Sequence, residues 1–259
     1  MCDLLHYILK YVRKFSIIGF EVKAMLKKLA EMIKTSENIV FFGGAGVSCE
    51  SGCKDFRSAD GIYKMNYKYP PESVLSHSFF EMHTEDFYDF YRKYLCFPDA
   101  KPNAAHYKLA ELEKSGKLKA VITQNVDGLH QLAGSKCVYE LHGSALRNYC
   151  MKCGKFHDFD FVYKSSGIPK CECGGIVKPD VVLYEESLNN DIIEGAVNAI
   201  ANADMLIVAG TSLTVYPAAG LIRYFKGKNL VLINKDATAM DEKFGLVIHG
   251  KVGEILSKM

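Results

Sequence analysis

Three groups of residues in this chain have types and spacings that could do chemistry: four paired cysteines, a glycine-rich turn with its polar companions, and one histidine ending an apolar run. Cys150-Met-Lys-Cys153 is followed, after seventeen residues, by Cys171-Glu-Cys173. Two thiol pairs at this spacing match a closed tetrahedral zinc site, structural because no coordination position stays open for a substrate. The plainer alternatives are free thiols in a loop or a redox pair, and the second pair is C-x-C instead of C-x-x-C. A nucleic-acid zinc ribbon is a further alternative, but few basic and aromatic residues alternate on its flanks.

Phe41 to Tyr63 reads FFGGAGVSCESGCKDFRSADGIY. Asn38–Phe42 predicts a short buried strand, and Gly43, Gly44 and Gly46 follow it as a phosphate-binding turn would. Backbone N–H groups around Ala45 and Gly46, with the end of a following helix, suit a pyrophosphate. The third glycine of G-x-G-x-x-G is absent, and Asp55-Phe56-Arg57 stands where a plain dinucleotide unit continues its helix. The acidic residue that a hydride-transferring dehydrogenase places about twenty residues beyond the loop is missing as well.

Four further polar clusters end apolar runs: TQNVDGLH (Thr123 to His130), HGS (His142 to Ser144), GTS (Gly210 to Ser212) and INKD (Ile233 to Asp236). In an open parallel sheet, ligands sit beyond the carboxyl ends of the strands, so these ends imply one composite site. Ser212 offers it a hydroxyl, and Asn234 could hold a ribose. His142 is the candidate general base, because imidazole titrates near neutrality. The other seven of the eight histidines read as ordinary surface or core side chains.

The elements that must position these groups follow from hydrophobic periodicity. Val22, Met25, Leu26, Leu29, Met32 and Ile33 share one helical face ahead of the first strand. Residues 62–102 lose the strand-helix rhythm and, rich in Tyr, Phe and His, predict a small helical insertion. KAVIT, CVYELHG ending at His142, KPDVVLY, MLIVAG and NLVLIN predict strands; Asn190–Asn202 predicts a helix, and Pro217 opens another. Strands alternating with helices make an α/β fold, a Rossmann-like parallel sheet with helices on both faces. That sheet is expected from residues 25–61, 103–147 and 179–259. The insertion and a zinc-binding module at 148–178 form a small domain, and residues 1–24 are an N-terminal extension.

With 259 residues, 49% of them hydrophobic, the chain can bury one sizeable core and a small module. A net charge of +2, spread along the chain, gives no electrostatic footprint for nucleic acid. Nine cysteines, an odd number in a long chain, fit a reducing compartment better than a disulfide scaffold. The apolar N-terminus is interrupted by Lys10, Arg13 and Lys14 and is too short to span a bilayer, so no membrane partner is expected.

Taken in order and spacing, GAGVSCESGCKDFRS, TQNVDGLH, LHGS, the four cysteines, KPDVVLYEE, GTSLTVYPA and LINKD resemble the sirtuin family of NAD-dependent protein deacylases, from about residue 37 to the end. The resemblance implies that NAD is a consumed co-substrate, with Gly44, Ala45 and Gly46 at its diphosphate and Cys49 among the residues that contact it. Asp55, Phe56, Arg57 and Tyr63 would belong to a loop closing over the nicotinamide ribose, near Gln124 and His142. Asn125, Val126 and Asp127 would line the nicotinamide pocket, with His142, Asn125 and Asp127 as the catalytic set. Ser212, Asn234 and Val252 would hold the adenosine half, and Gly210, Thr211 and Lys235 would also contact NAD.

An acyl-lysine peptide would add as a strand between Val181, Val182, Leu183, Tyr184 and Glu185 on one side and Val215 and Tyr216 on the other. The acyl oxygen would attack C1′ as nicotinamide leaves. His142 would then remove a ribose proton so that the 2′-oxygen takes the acyl group, giving 2′-O-acyl-ADP-ribose and free lysine. The same scaffold could instead serve mono-ADP-ribosyl transfer, or NAD sensing without catalysis. A cytoplasmic monomer is expected.

The sequence departs from the family's pattern in three places. Cys53-Lys54 replaces an apolar-proline pair, and Tyr184-Glu185-Glu186 replaces Phe-Gly-Glu. The Tyr-x-x-Arg pair of members that take acidic acyl groups is here Tyr88 with Tyr91, Arg92 being displaced by one position. A helix step of about 100° aims Arg92 elsewhere, so neutral acyl groups, acetyl first, are expected.

Overall fold

The structure, a computed structural model, describes residues 21–58 and 61–259, so most of the N-terminal extension lies outside the described residues. Residues 21–35 form helix α1. It is followed by α2 (Pro71–Val74), α3 (His77–Met82), α4 (Thr84–Tyr94), α5 (Ala104–Lys114), α6 (Leu129–Ala133), α7 (Phe159–Tyr163), α8 (Asn190–Ala201) and α9 (Val252–Leu256). The strands are β1 (Ile39–Gly43), β2 (Leu118–Thr123), β3 (Val138–Glu140), β4 (Gly143–Cys150), β5 (Phe156–His157), β6 (Val177–Val181), β7 (Met205–Ala209), β8 (Asn229–Asn234) and β9 (Leu246–His249).

β1 and β7 are buried along their whole length, as strands covered on both faces must be. Within β1 the side chains alternate. Ile39 and Phe41 join Leu29 of α1, Leu109 of α5 and Ile255 of α9 in one apolar layer, while Val40 and Phe42 join Ile200 of α8 and Leu221 in the other. The six parallel strands run in the order β3-β2-β1-β7-β8-β9. That order reverses between β1 and β7, which opens a crevice at their carboxyl ends, where Gly43 pairs with Thr123 on one side and Ala209 on the other.

A second sheet, β5-β4-β6, is antiparallel. Helices α2 to α4 pack with it in a third core, where Phe80, Phe87, Tyr88 and Phe90 meet Cys150, Val162, Cys171 and Val177. The small sheet spans Gly143 to Val181, beyond both ends of the 148–178 segment read from the cysteines.

The KPDVVLY run therefore does not extend the parallel sheet. Pro179 lacks an N–H, which the edge strand β6 tolerates and a central strand does not. β3 stops at Glu140, and His142 sits in the turn before Gly143. Gly143 takes φ 76, and any Cβ there would collide with the Asp180 carbonyl. After Pro217 the backbone forms a 3-10 turn, Ala218–Tyr224, in place of an α-helix. β9 and α9, four and five residues long, escape the periodicity reading because neither completes a recognisable pattern.

Candidate active site

The carboxyl ends of β1, β2 and β7 open into a cleft of about 1030 Å³. At its floor, the helix expected after the glycine turn is replaced by two 3-10 turns, Ala45–Val47 and Cys49–Ser51. The Gly46 N–H donates to the Gly210 carbonyl at 2.8 Å, so that group is spent within the protein and is not offered to a pyrophosphate as the sequence suggested. A Cβ on Gly46 would stand 2.7 Å from the Gly210 Cα, so this close crossing of two backbones needs glycine. Asn103 caps α5 by accepting from the Ala105 N–H and fixes the turn by donating to the Val47 carbonyl at 2.8 Å.

Ser48, buried behind the turn, organises the second strand end. Its hydroxyl donates to Asp127 Oδ2 at 2.6 Å and accepts from Asn125 Nδ2 at 3.0 Å. Asp127 Oδ1 also accepts from the Leu129 N–H at 3.0 Å, starting α6. A carboxylate with a hydroxyl and a backbone donor is held in one orientation, and it orients Asn125 through Ser48. Gln124 donates to Thr211 Oγ1 at 3.0 Å, tying the β2 end to the β7 end.

His142 is half-buried, its Nδ1 2.9 Å from the Gln124 carbonyl oxygen. A carbonyl only accepts, so Nδ1 carries the proton and Nε2 keeps the lone pair. Burial lowers the imidazole pKa below its ordinary 6.5, with the Gln124 hydrogen bond opposing in part. The ring is therefore neutral at pH 7 and ready to accept a proton at Nε2. Behind this floor two buried histidines face each other, rings 4.7 Å apart; burial pushes His106 down to about 4 and His130 to about 3.

Over the cleft, Asp55 Oδ1 accepts from the Arg57 and Ser58 N–H groups at 3.0 and 2.8 Å. The Arg57 guanidinium lies 5.1 Å above the Tyr63 ring, Phe56 meets that ring edge-on, and Tyr63 Oη is 3.0 Å from Tyr184 Oη. The acid, aromatic ring and guanidinium behind the glycine turn thus organise a loop.

On the opposite wall, the N–H groups of Val182, Leu183 and Tyr184 already have acceptors: the His142 carbonyl, the Glu186 carboxylate and the Leu75 carbonyl. An added strand along Val181 to Glu185 must therefore use the remaining groups. Glu185 holds φ 76 where the family pattern has glycine, and its carboxylate accepts from the Ser78 N–H and hydroxyl at 2.9 and 3.0 Å. This cap on α3 offsets the strain of a left-handed non-glycine residue.

Gly44 to Gly46, Cys49, Asp55, Phe56, Arg57, Tyr63, Gln124 to Asp127, His142, Val181 to Glu185, Gly210 to Ser212, Val215, Tyr216, Asn234, Lys235 and Val252 all line this one cleft. Ser212 and Asn234 also bond locally, to Thr214 and to the Asp236 carbonyl. Ser48, Leu75, Leu95 and Phe97 line it too and were not singled out from the sequence, and so does Tyr91, read there only as the residue standing where an arginine would be. The alcohol directly behind a glycine turn was a usable signal for Ser48. Leu75, Leu95 and Phe97 belong to the insertion and its edge, where no motif marks them.

The Sγ atoms of Cys150, Cys153, Cys171 and Cys173 lie within 4.8 Å of one another, with Cys150 and Cys173 at 3.4 Å and Cys153 and Cys171 at 3.8 Å. Zinc–sulfur bonds of about 2.3 Å in a tetrahedron separate the sulfurs by about 3.8 Å. The four cysteines therefore fit a structural zinc site.

A model of the Sir2 family matches residues 44–217. The chain is similar to an NAD-dependent protein deacetylase of Clostridium acetobutylicum, 63% identical over 235 residues, covering 89% of this chain and 96% of the relative. It is 60% identical over 238 residues to one from Clostridium perfringens, covering 90% and 98%. Among solved structures, a Sir2 enzyme described under "Structural Basis for the Mechanism and Regulation of Sir2 Enzymes" aligns with a TM-score of 0.82 at 41% identity, over 91% of this chain and 96% of that one. A Sir2–p53 peptide–NAD+ complex aligns at 0.78 and 38% identity, over 89% and 95%. With a family model across two strand ends of the cleft and relatives this similar along most of its length, the chain belongs to the Sir2 family.

Proposed function

We infer that this protein removes acetyl groups from protein lysines and consumes NAD in doing so. The observation that carries the reading is His142. It is a neutral imidazole with its proton fixed on Nδ1 by Gln124, in the cleft where the β1, β2 and β7 ends meet. The relatives at 60% and 63% identity carry the name NAD-dependent protein deacetylase, and the name comes to this chain with the site that would perform it.

In this reading the Gly44–Gly46 turn and the Gly210–Ser212 segment receive the NAD diphosphate and adenosine half. Asn125 and Asp127, held by Ser48, orient the nicotinamide end. The acyl oxygen of the lysine side chain displaces nicotinamide at the ribose C1′. His142 Nε2 then takes a ribose hydroxyl proton, so that the oxygen accepts the acyl group; water supplies the atom that completes release of lysine and O-acetyl-ADP-ribose. Zinc takes no part in these steps and pins the small sheet that forms one wall. Mono-ADP-ribosyl transfer and NAD sensing are not favoured.

We place the protein in the cytoplasm as a monomer. No disulfide joins the eight described cysteines, which supports a reducing compartment. No helix among the described residues is long and apolar enough to cross a membrane. The test is to incubate the protein with NAD and an acetyl-lysine peptide and weigh the products. One acetyl group lost per nicotinamide released, with the mass of acetyl-ADP-ribose, is expected; ADP-ribose attached to the peptide or the protein would overturn the reading.

A further inference from the structure

Helix α9 starts without a cap from its own neighbourhood. Its N-cap residue is Lys251, whose side chain can only donate; it makes no capping hydrogen bond and reaches Glu254 at 3.0 Å instead. The first N–H groups of a helix have no acceptor within it. One of those in α9 finds its acceptor 203 residues away, where the Gly253 N–H donates to Glu50 Oε2 at 2.6 Å. A carboxylate suits a helix start by charge as well as by hydrogen bonding.

Both sides of this contact are shaped for it. A Cβ on Gly253 would stand 2.7 to 2.9 Å from the Glu50 carboxylate atoms, so glycine is what admits the carboxylate. Glu50 belongs to the 3-10 turn Cys49–Ser51, and its neighbour Ser51 accepts through its hydroxyl from Asn103 Nδ2 at 3.0 Å. The turn is thus pinned to the start of α5 through Asn103 and to the start of α9 through Glu50. Both ends of the second link border the cleft: Glu50 lines it, and so do Gly250, Lys251 and Val252, together with Ser212 and Asn234. Val252 also shares an apolar layer with Val47 of the glycine turn.

We propose that Glu50 is a positioning residue for NAD: by capping α9 from the turn behind the diphosphate loop, it holds Gly250 to Val252 in place for the adenosine half. The grip on adenosine then depends on a residue of the opposite, loop-bearing segment, and the two halves of the nucleotide are bound by one linked unit. The proposal rests on the NAD-binding part of the deacylase reading. It leaves the roles of His142 and of the acyl-lysine wall unchanged.

The test combines calorimetric binding of ADP-ribose and NAD with steady-state rates on an acetyl-lysine peptide, for wild type, Glu50→Ala, Glu50→Gln, Gly253→Ala and the Glu50→Ala/Gly253→Ala double variant. In Glu50→Ala, the Kd for ADP-ribose and the KM for NAD are expected to rise about tenfold, while kcat at saturating NAD and the KM for peptide stay within about twofold. Glu50→Gln keeps an acceptor oxygen and should remain within about threefold of wild type, which separates the hydrogen bond from the charge. Gly253→Ala should resemble Glu50→Ala, and the double variant should bind no more weakly than either, because its methyl group enters space that the carboxylate has left. An ADP-ribose affinity in Glu50→Ala within twofold of wild type, or tighter, overturns the proposal. So does a fall in kcat with the KM for NAD unchanged, or single-variant losses that add in the double variant, either of which marks a general structural role. A wild-type protein that binds neither NAD nor ADP-ribose removes the NAD reading and the proposal with it. One that binds both and leaves the acetyl peptide intact removes the deacylase reading alone, because the ADP-ribose affinities still decide the role of Glu50.

Discussion

The large sheet and the small sheet each form one side of the cleft, and they are held together by different means. In the large sheet, β1 and β7 bury every residue between two layers of helices, and aliphatic burial at about 25 cal/mol per Å² is enough to hold it. The small sheet has a two-residue strand, β5, and its cysteine loops expose Met151 and Phe156, so it has little apolar area of its own. It relies on the aromatic face of α4 and on four cysteines that fit zinc. One side of the site is thus fixed by packing and the other by coordination, and the wall proposed to meet the acyl-lysine is on the second.

The largest effect expected from this contrast comes from removing the metal site. Cys171→Ser, or a strong chelator, should abolish turnover and release zinc measurable by elemental analysis. The parallel sheet should persist, read as a second, higher thermal transition. A single unchanged transition after zinc loss would mean that the small sheet needs no metal.

Ser48→Ala probes the packed side. It leaves the Asp127 carboxylate and the Asn125 amide each short of a partner, at about 1–3 kcal/mol, so kcat/KM should fall about tenfold to a hundredfold with zinc content unchanged.

The paired histidines place a pH dependence on the large side. Both have folded pKa values, about 4 for His106 and about 3 for His130, below the unfolded value near 6.5. The unfolded chain therefore binds more protons, and stability present above pH 6.5 is lost as pH falls toward 4. The thermal midpoint of the large unit should drop by several degrees over that window. His130→Leu, which removes a ring whose two nitrogens have no hydrogen-bond partner among the described residues, should flatten the curve.

The smallest effect concerns the contact between the two sides. Tyr184→Phe removes the hydrogen bond to Tyr63, so the KM for NAD should rise two- to threefold by initial-rate measurement. Tyr63→Phe should add little to it, because both variants break the same bond.

The packed half was the more legible one in the sequence. β1, β2, β7 and β8 read as strands because a strand covered on both faces is a continuous apolar run, and their polar carboxyl ends marked the cleft. The small sheet was missed because KPDVVLY, read as a strand, was assigned to the parallel sheet, while its partner β4 carries Arg147 and pairs with it antiparallel across some thirty residues; Arg147 bonds Asp180 at 2.9 Å only once they are paired. Its cysteines were legible because a metal imposes local spacing. Ser48 depends on partners that no local pattern encodes: it reaches Asp127, 79 residues away.

The measurement that bears most directly on the account is His142→Ala, with NAD binding by calorimetry and nicotinamide release with an acetyl-lysine peptide followed on the same sample. His142 is held by one hydrogen bond at the cleft and acts in the account as a base. NAD affinity should therefore stay within a few-fold of wild type, while formation of acetyl-ADP-ribose falls by at least a hundredfold. A variant that binds NAD and still forms acetyl-ADP-ribose at the wild-type rate would contradict the assignment of His142 as the catalytic base.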